Sequence, residues 1–127
     1  MQEKPILGIT MGDPSGIGPE ITIKTLMKKH IYDICRPVVV GDALVMRKAC
    51  EMLGHSELKV IPVFSIKECR FEYGAIEVYD LQNVDVAKLK IGQVDAMSGA
   101  AAFTSVQKVI ELALAGEIDA TITNPLN

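Results

Sequence analysis

Short runs of apolar, often β-branched residues recur along the chain and predict five β-strands. These runs occupy 5–10, 36–42, 58–64, 75–81 and 119–123. The second run is continuously apolar, which favours a strand buried on both faces of a sheet. The fourth run alternates polar and apolar positions, so it predicts a half-exposed strand. Pro62 lies in the third run, and because proline cannot donate to a strand ladder, it predicts an edge position or the end of that strand.

Between these runs the apolar positions follow the period of an amphipathic helix. Helices are predicted at 19–29, at 43–53 and from Ser98 or Gly99 to Gly116. The last of these carries a broad apolar stripe that is expected to face the core, formed by Phe103, Val106, Val109, Ile110, Ala113 and Leu114. The segment 83–97 before it is polar and irregular, which predicts a loop.

The residues at the helix ends support these boundaries. Pro19 suits a first helical turn, Asp42 is placed to cap the second helix, and Gly54 is placed to end it. The alternation of strands and helices predicts the α/β class, with an open, mostly parallel sheet and helices on both of its faces. We expect residues 1–127 to form a single α/β unit.

Composition narrows the possible classes of function. The chain has 127 residues, of which 49% are hydrophobic and 23% charged, as is ordinary for a globular protein. A net charge of −3 and 5% aromatic residues argue against a general nucleic-acid-binding surface, which would need a basic face. No apolar run approaches the roughly 20 residues that a bilayer requires, and the first ten residues show no secretory signal. No membrane partner is therefore expected.

Cysteine usage predicts a cytoplasmic location. Cys35, Cys50 and Cys69 are widely spaced and odd in number, and no CxxC or zinc-type spacing occurs. We interpret them as reduced thiols packed in or near the core.

The first predicted strand leads into GITMGDPSGIGPEI, Gly8–Ile21, which contains four glycines and two prolines. Glycine is costly to order, so this density indicates unusual backbone angles or close approach by another group. The stretch joins a strand to a helix, and ligands of parallel sheets bind beyond the carboxyl ends of the strands. Unpaired N–H groups at the helix start could hold a phosphate or a carboxylate at this position.

Standard nucleotide-binding motifs do not account for this loop. Gly12, Gly16 and Gly18 depart from GxGxxG spacing, and the loop has no lysine of the P-loop type. Asp13 adds negative charge, which weighs against a simple phosphate cradle and suits a ribose hydroxyl, the orientation of a partner group or a cap on the turn. The spacing is equally compatible with a tight strand-to-helix turn.

Two longer strings carry a family resemblance. MGDPSGIGPEI, Met11–Ile21, and ELALAGEIDATITNPLN, Glu111–Asn127, resemble matching parts of the 4-hydroxythreonine-4-phosphate dehydrogenase family of pyridoxine and pyridoxal phosphate biosynthesis. The strings lie near the two ends of the chain and the intervening element order agrees, so the resemblance covers essentially all of it. GIGPE is also similar to a shorter motif of the isopropylmalate and isocitrate dehydrogenases. The ending Thr123–Asn127 resembles a branch that acts on 4-phosphorylated threonate- or erythronate-like acids.

The resemblance implies an NAD-dependent oxidoreductase with a two-domain, isopropylmalate-dehydrogenase-like architecture. In that family a homodimer oxidises a small phosphorylated hydroxy acid with loss of carbon dioxide, and a divalent metal polarises the substrate oxygen. The family's members are longer, and their metal-ligating histidines lie beyond the position that matches Asn127. We therefore expect this chain to be the N-terminal portion of such an enzyme, inactive by itself.

The resemblance places six residues of this chain near the shared cleft. They are expected to position substrate or cofactor without transferring protons: Thr10, Gly12, Asp13, Gly16, Asn124 and Asn127. The two asparagines are equally compatible with ordinary turn chemistry. His30 and His55 match no family ligand, so no catalytic or metal-binding residue is assigned.

A function of another class remains open from the residues alone. Since no metal site is assigned, the chain is also compatible with a non-catalytic α/β module that binds an anionic metabolite or a partner chain. If the chain is instead the N-terminal portion of a longer enzyme, we expect some exposed apolar surface, because the remaining part of the enzyme would cover it.

Overall fold

A computed structural model describes residues 3–89 and 96–124, which fold around a parallel β-sheet. Its five strands within these ranges are β1 (Ile6–Thr10), β2 (Arg36–Gly41), β3 (Lys59–Val63), β4 (Ala75–Asp80) and β5 (Ala120–Ile122). The spatial order is β3-β4-β2-β1-β5 and every neighbouring pair is parallel. Gly8 of β1 pairs with Val38 of β2 on one side and with Thr121 of β5 on the other. The strand nearest the start of the chain is thus flanked by a strand from near its end.

Helices cover both faces of this sheet. They are α1 (Gly18–Leu26), α2 (Lys29–Ile34), α3 (Ala43–Met52) and α4 (Ala96–Leu114), with short 3-10 turns at Ile66–Glu68 and Val86–Lys88. On one face, side chains of α1, α2 and α3 pack on Ile9 and Val39. On the other face, Val109 and Leu112 of α4 pack with Val38 and Val40. The predicted α/β arrangement, with helices on both faces of a parallel sheet, is confirmed for the described residues.

Several local predictions are confirmed. Asp42 caps α3, since its Oδ1 accepts hydrogen bonds from the N–H groups of Leu44 and Val45. Gly54 follows α3 at φ +80°, the left-handed conformation that commonly ends a helix. Pro62 lies on β3, which is an edge strand. Each of these features depends on local backbone chemistry.

Helix α2 was not predicted. A single helix was expected at 19–29, but α1 ends at Leu26 and α2 begins at Lys29. Lys28 between them is in an extended conformation, with ψ at 116°. The break turns the chain so that Tyr32 of α2 is buried, and its Oη donates to the Ala75 carbonyl oxygen over 3.2 Å.

The prediction of a half-exposed fourth strand is wrong. β4 lies between β3 and β2, and Ile76, Glu77 and Val78 at its centre are all buried. The polar position that produced the alternation is Glu77, whose carboxylate accepts 2.7 Å hydrogen bonds from the N–H groups of Arg70 and Phe71. Because these bonds satisfy both oxygens, an acidic side chain is accommodated inside the sheet layer.

The predicted core-facing stripe of α4 is largely wrong as well. Phe103, Ile110 and Leu114 are 62%, 51% and 85% exposed, and Val109 is the fully buried member of the stripe. The buried residues of the helix are mostly small, with two larger apolar side chains: Ser98, Ala101, Ala102, Ser105, Val109 and Leu112. Ala96 and Met97 already belong to the helix, so the end of the segment expected to be a loop is helical.

Gly8, at the centre of β1, allows Val109 of α4 and Ile118 to approach the sheet closely. A Cβ atom on Gly8 would lie 2.6 Å from Ile118 Cδ1 and 3.5 Å from Val109 Cγ1.

The outer face of α4 leaves apolar side chains exposed, as the sequence predicts in general terms for this chain. None of the described helices combines the length and the apolar character that a membrane crossing requires.

Candidate functional site

The loops after β1 and β5 lie side by side, because these two parallel strands are neighbours in the sheet. Ile9 of β1 pairs with Ile122 of β5, so both strands end at the same edge. The loop after β1 runs from Met11 to Ile17 and leads directly into α1. In open parallel sheets this carboxyl edge is the place where ligands bind. The two loops that carry the predicted site residues therefore leave the sheet at one edge.

The glycine-rich loop after β1 is tightly folded and mostly buried. Gly12 has φ +80°, a conformation that side chains larger than glycine rarely adopt. Asp13 is 3% exposed, and its Oδ1 accepts 2.8 Å hydrogen bonds from both the N–H and the hydroxyl of Ser15. The Gly16 N–H donates to the Asp13 carbonyl oxygen over 3.0 Å. Asp13 thus caps this turn, which is one of the three roles expected for its side chain.

The start of α1 lies against the preceding loop, and its N-cap residue provides no side-chain cap. Ile17 precedes the helix without capping it through a side chain, and Pro19 occupies its first turn. Gly18 passes so close to the preceding loop that a Cβ atom there would overlap the Met11 carbonyl oxygen. The start of the helix therefore packs against the backbone of this loop.

Asn124, in the loop after β5, joins three elements at this edge. Its backbone N–H donates to Thr10 Oγ1 over 3.0 Å, and its side-chain Nδ2 donates to the Thr10 carbonyl oxygen over 2.6 Å. Nδ2 also donates to Thr22 Oγ1 on α1 over 2.7 Å. Thr10 and Thr22 are buried. The end of β1, the first half of α1 and the loop after β5 are thereby held in one arrangement.

The predicted site residues within the described ranges converge on this edge. Thr10, Gly12, Asp13 and Gly16 lie on or just after β1, and Asn124 contacts the first of them. Asn127 lies outside the described residues. Their role in ligand contact stays a prediction. Thr22, which binds Asn124, was missed because nothing in the sequence around a threonine inside a helix announces a contact with a residue 102 positions away.

A groove beside the loop shows how far this edge is enclosed. It lies between α1 and α3, has a volume of about 170 Å³, and is lined by Pro14, Gly16, Pro19, Val45 and Met52 among others. Pockets for small molecules commonly measure roughly 300–1,000 Å³. This groove by itself is too small to enclose a dinucleotide.

Metal ligands do not converge in the described part of the chain. Within residues 3–89 and 96–124, no three His, Cys, Asp or Glu side chains are grouped closely enough to hold a metal ion. His30 is exposed on α2, while His55 Nδ1 lies 3.5 Å from Glu57 Oε1 after α3. This donor set does not fit the divalent metal that the resemblance implies.

The cysteines have the properties of packed thiols. Cys35 and Cys50 are buried, Cys69 is half-buried, and all three are free. Burial, aided by the nearby Glu77 and Glu68 carboxylates, raises the pKa of Cys69 to about 12, and burial also raises the pKa of Cys50. Because the thiolate is the reactive form, these positions are poor nucleophiles.

Comparison with known proteins agrees with this architecture. Residues 33–127 match the family described as pyridoxal phosphate biosynthetic protein PdxA. The chain belongs to the PdxA family. It is 46% identical over 127 residues to a protein of Symbiobacterium thermophilum that carries the name D-threonate 4-phosphate dehydrogenase. That alignment covers all of this chain but only 38% of the length of the relative.

Solved structures of PdxA-family dehydrogenases share the fold. A 4-hydroxythreonine-4-phosphate dehydrogenase from Burkholderia phymatum superposes with a TM-score of 0.94 and 39% identity, over 99% of this chain and 38% of that one. The enzyme of the same name from Klebsiella pneumoniae gives a TM-score of 0.89 and 34% identity, over 98% of this chain and 38% of the other. This PdxA-family chain thus spans well under half the length of the relatives it matches.

Proposed function

We propose that this PdxA-family chain is the N-terminal portion of a longer dehydrogenase that requires NAD and a divalent metal. The proposed substrate is a 4-phosphorylated hydroxy acid, oxidised at a secondary alcohol with subsequent loss of carbon dioxide. The observation that supports this most directly is the 46% identity over all 127 residues to a relative named as a D-threonate 4-phosphate dehydrogenase. The proposed enzyme works in the cytoplasm as a homodimer.

D-threonate 4-phosphate is the proposed substrate ahead of 4-hydroxythreonine 4-phosphate. The relative named for the former is 46% identical to this chain, whereas the solved structure named for the latter is 39% identical. The sequence Thr123–Asn127 also resembles the branch that acts on threonate-like acids.

The described residues support a positioning role for this portion. Thr10, Thr22 and Asn124 fix the loops at the carboxyl edge, where a ligand of a parallel sheet binds. No step through the metal is assigned to them, because no group of metal ligands lies among residues 3–89 and 96–124. When bound, NAD supplies the hydride acceptor. The chain's share is to orient ligand groups against the uncapped start of α1 and the adjoining loop.

A steady-state assay of the longer protein tests the proposal. NADH formation is followed by absorbance with D-threonate 4-phosphate and, separately, with 4-hydroxythreonine 4-phosphate, with a divalent metal and after its removal by chelator. Turnover is expected with the first substrate at the higher kcat/KM, and it should stop when the metal is removed. Absence of NAD reduction with either acid would contradict the proposal.

The 127-residue chain provides the matched comparison. We expect no turnover from it, because its described residues contain no metal-ligand group. Calorimetric binding of NAD or of a phosphorylated acid by both the longer protein and this chain, without turnover by either, would support a binding module in place of an enzyme.

A further inference from the structure

The Asn124 side chain is oriented by its two donor hydrogens. A carboxamide has two N–H donors on one end and an acceptor oxygen on the other. Both donors are engaged, one by the Thr10 carbonyl oxygen at 2.6 Å and one by Thr22 Oγ1 at 2.7 Å. The reversed orientation would set Oδ1 against the carbonyl oxygen, and two acceptors cannot bond to each other. The acceptor end, Oδ1, is therefore the end left for another partner.

Asn124 Oδ1 is accessible and has no donor among the described residues. Every hydrogen bond that the structure gives Asn124 within these ranges involves its nitrogen atoms. The residue is half-buried. Among the described residues, the buried side-chain atoms without a hydrogen-bond partner belong to Asn83, so Asn124 Oδ1 is reachable from solvent. A fixed, accessible acceptor whose other end is held inside the protein is pre-organised for a donor from a ligand.

The chemistry of the amide oxygen favours a hydroxyl donor over an anion. Asn124 Cβ would lie 3.3 Å from a Cβ atom on Gly18, so the side chain lies over the start of α1. An amide oxygen can only accept a hydrogen bond. It therefore suits a hydroxyl group, which donates, and not a fully ionised phosphate, which has no proton to donate.

We infer that Asn124 Oδ1 accepts a hydrogen bond from a hydroxyl of the bound ligand, and that Thr22 and Thr10 are positioning residues that aim it. This inference rests on the proposed function, since both the dinucleotide and the hydroxy acid carry hydroxyl groups. The phosphate of the substrate is then held by residues other than these. The two hydroxyl-bearing ligands are distinguished by which Michaelis constant responds to the variants.

Thr22→Val in the longer protein removes the acceptor that holds Asn124 Nδ2 while keeping the shape of the side chain. We expect KM to rise about tenfold for the ligand whose hydroxyl Oδ1 binds, with kcat within about twofold of the parent value. Thr22→Ser retains Oγ1 and should restore KM. A rise in the KM for NAD identifies a ribose hydroxyl, and a rise in the KM for the hydroxy acid identifies the substrate.

Thr25→Val is the matched control. Thr25 lies one turn further along α1, and its hydroxyl donates to the Ile21 carbonyl oxygen, without contact to Asn124. The same substitution there should leave both Michaelis constants unchanged. If Thr22→Val behaves like Thr25→Val, or if it lowers kcat and stability without a selective rise in one KM, the inference is wrong.

Two further readouts separate this inference from the proposed function. In the 127-residue chain, the Asn124 side-chain amide protons should exchange slowly by NMR, and Thr22→Val but not Thr22→Ser should accelerate one of them. If the longer protein does not reduce NAD, the proposed function fails, and calorimetric titrations with NAD and with D-threonate 4-phosphate then replace the two KM values. A selective loss of affinity for one of these ligands in Thr22→Val would still support the inference, whereas unchanged affinities for both, or no binding of either, would overturn it.

Discussion

Helices α1 and α3 begin at the same edge of the sheet, but their first turns differ in how side chains cap them. At α3 the first three N–H groups are all accepted by carboxylates, that of Ala43 by Asp80 and those of Leu44 and Val45 by Asp42. At α1 the N-cap residue, Ile17, provides no side-chain cap, and a glycine-rich loop packs against the helix start. Carboxylates thus occupy the first turn of α3, whereas the first turn of α1 lies against the loop that carries the predicted site residues.

The largest expected effect concerns the contact between the loop and α1. In Gly18→Ala the new Cβ atom would overlap the Met11 carbonyl oxygen, and backbone cannot move aside as a flexible side chain can. We expect the free energy of unfolding to fall by about 3 kcal/mol, measured by urea denaturation of the 127-residue chain. Gly99→Ala on α4 is the control, because a Cβ atom there meets nothing within 4 Å. A destabilisation no larger than that of the control would show that the loop is not rigidly packed.

The next effect concerns the α3 cap. Asp42→Ala removes the acceptor of the Leu44 and Val45 N–H groups and also that of the Val84 N–H, which donates to Asp42 Oδ2 over 3.2 Å. We expect a loss of about 2 kcal/mol in the free energy of unfolding. Asp42→Asn keeps an acceptor oxygen and should lose less. Equal losses in the two variants would mean that charge, more than capping geometry, stabilises this helix start.

Thiol labelling can show whether the loss of the cap opens α3 alone. Cys50 lies on α3 and Cys35 follows α2, and both are buried with a pKa raised by burial. In Asp42→Ala we expect alkylation of Cys50 to accelerate on the order of tenfold, and by more than that of Cys35, because opening is local to the uncapped helix. Equal acceleration at both cysteines, read by peptide mass spectrometry, would indicate global unfolding instead.

The smallest expected effect tests the charge of the open helix start. Because Asp13 and Glu20 are close to it in the chain, inorganic phosphate at about 10 mM should shift the Tm of the 127-residue chain by less than about 1 °C. A phosphate site with a Kd of about 1 mM would instead add about 1.4 kcal/mol of stability, which corresponds to a rise of several degrees. Such a rise would erase the distinction between a hydroxyl-binding edge and a phosphate cradle.

The sequence by itself determined the features that local backbone chemistry controls. The cap at Asp42 and the left-handed Gly54 follow from bonds and backbone angles within a few residues of the chain. Pro62 lies on an edge strand, which agrees with its lack of an N–H to donate to a neighbouring strand. The alternation of strand and helix patterns predicted the parallel α/β order. The sequences Met11–Ile21 and Glu111–Asn127 indicated the family.

Only the tertiary structure decided which faces are buried and which distant groups meet. Hydrophobicity favoured Phe103, Ile110 and Leu114 of α4 as core residues, but these side chains are exposed. The buried face of the helix instead includes the small Ala101 and Ser105 together with Leu112. Glu77 is buried because two N–H groups from another segment satisfy it. The meeting of Asn124 with Thr22 likewise depends on β5 pairing beside β1, a contact between chain ends that no local pattern encodes.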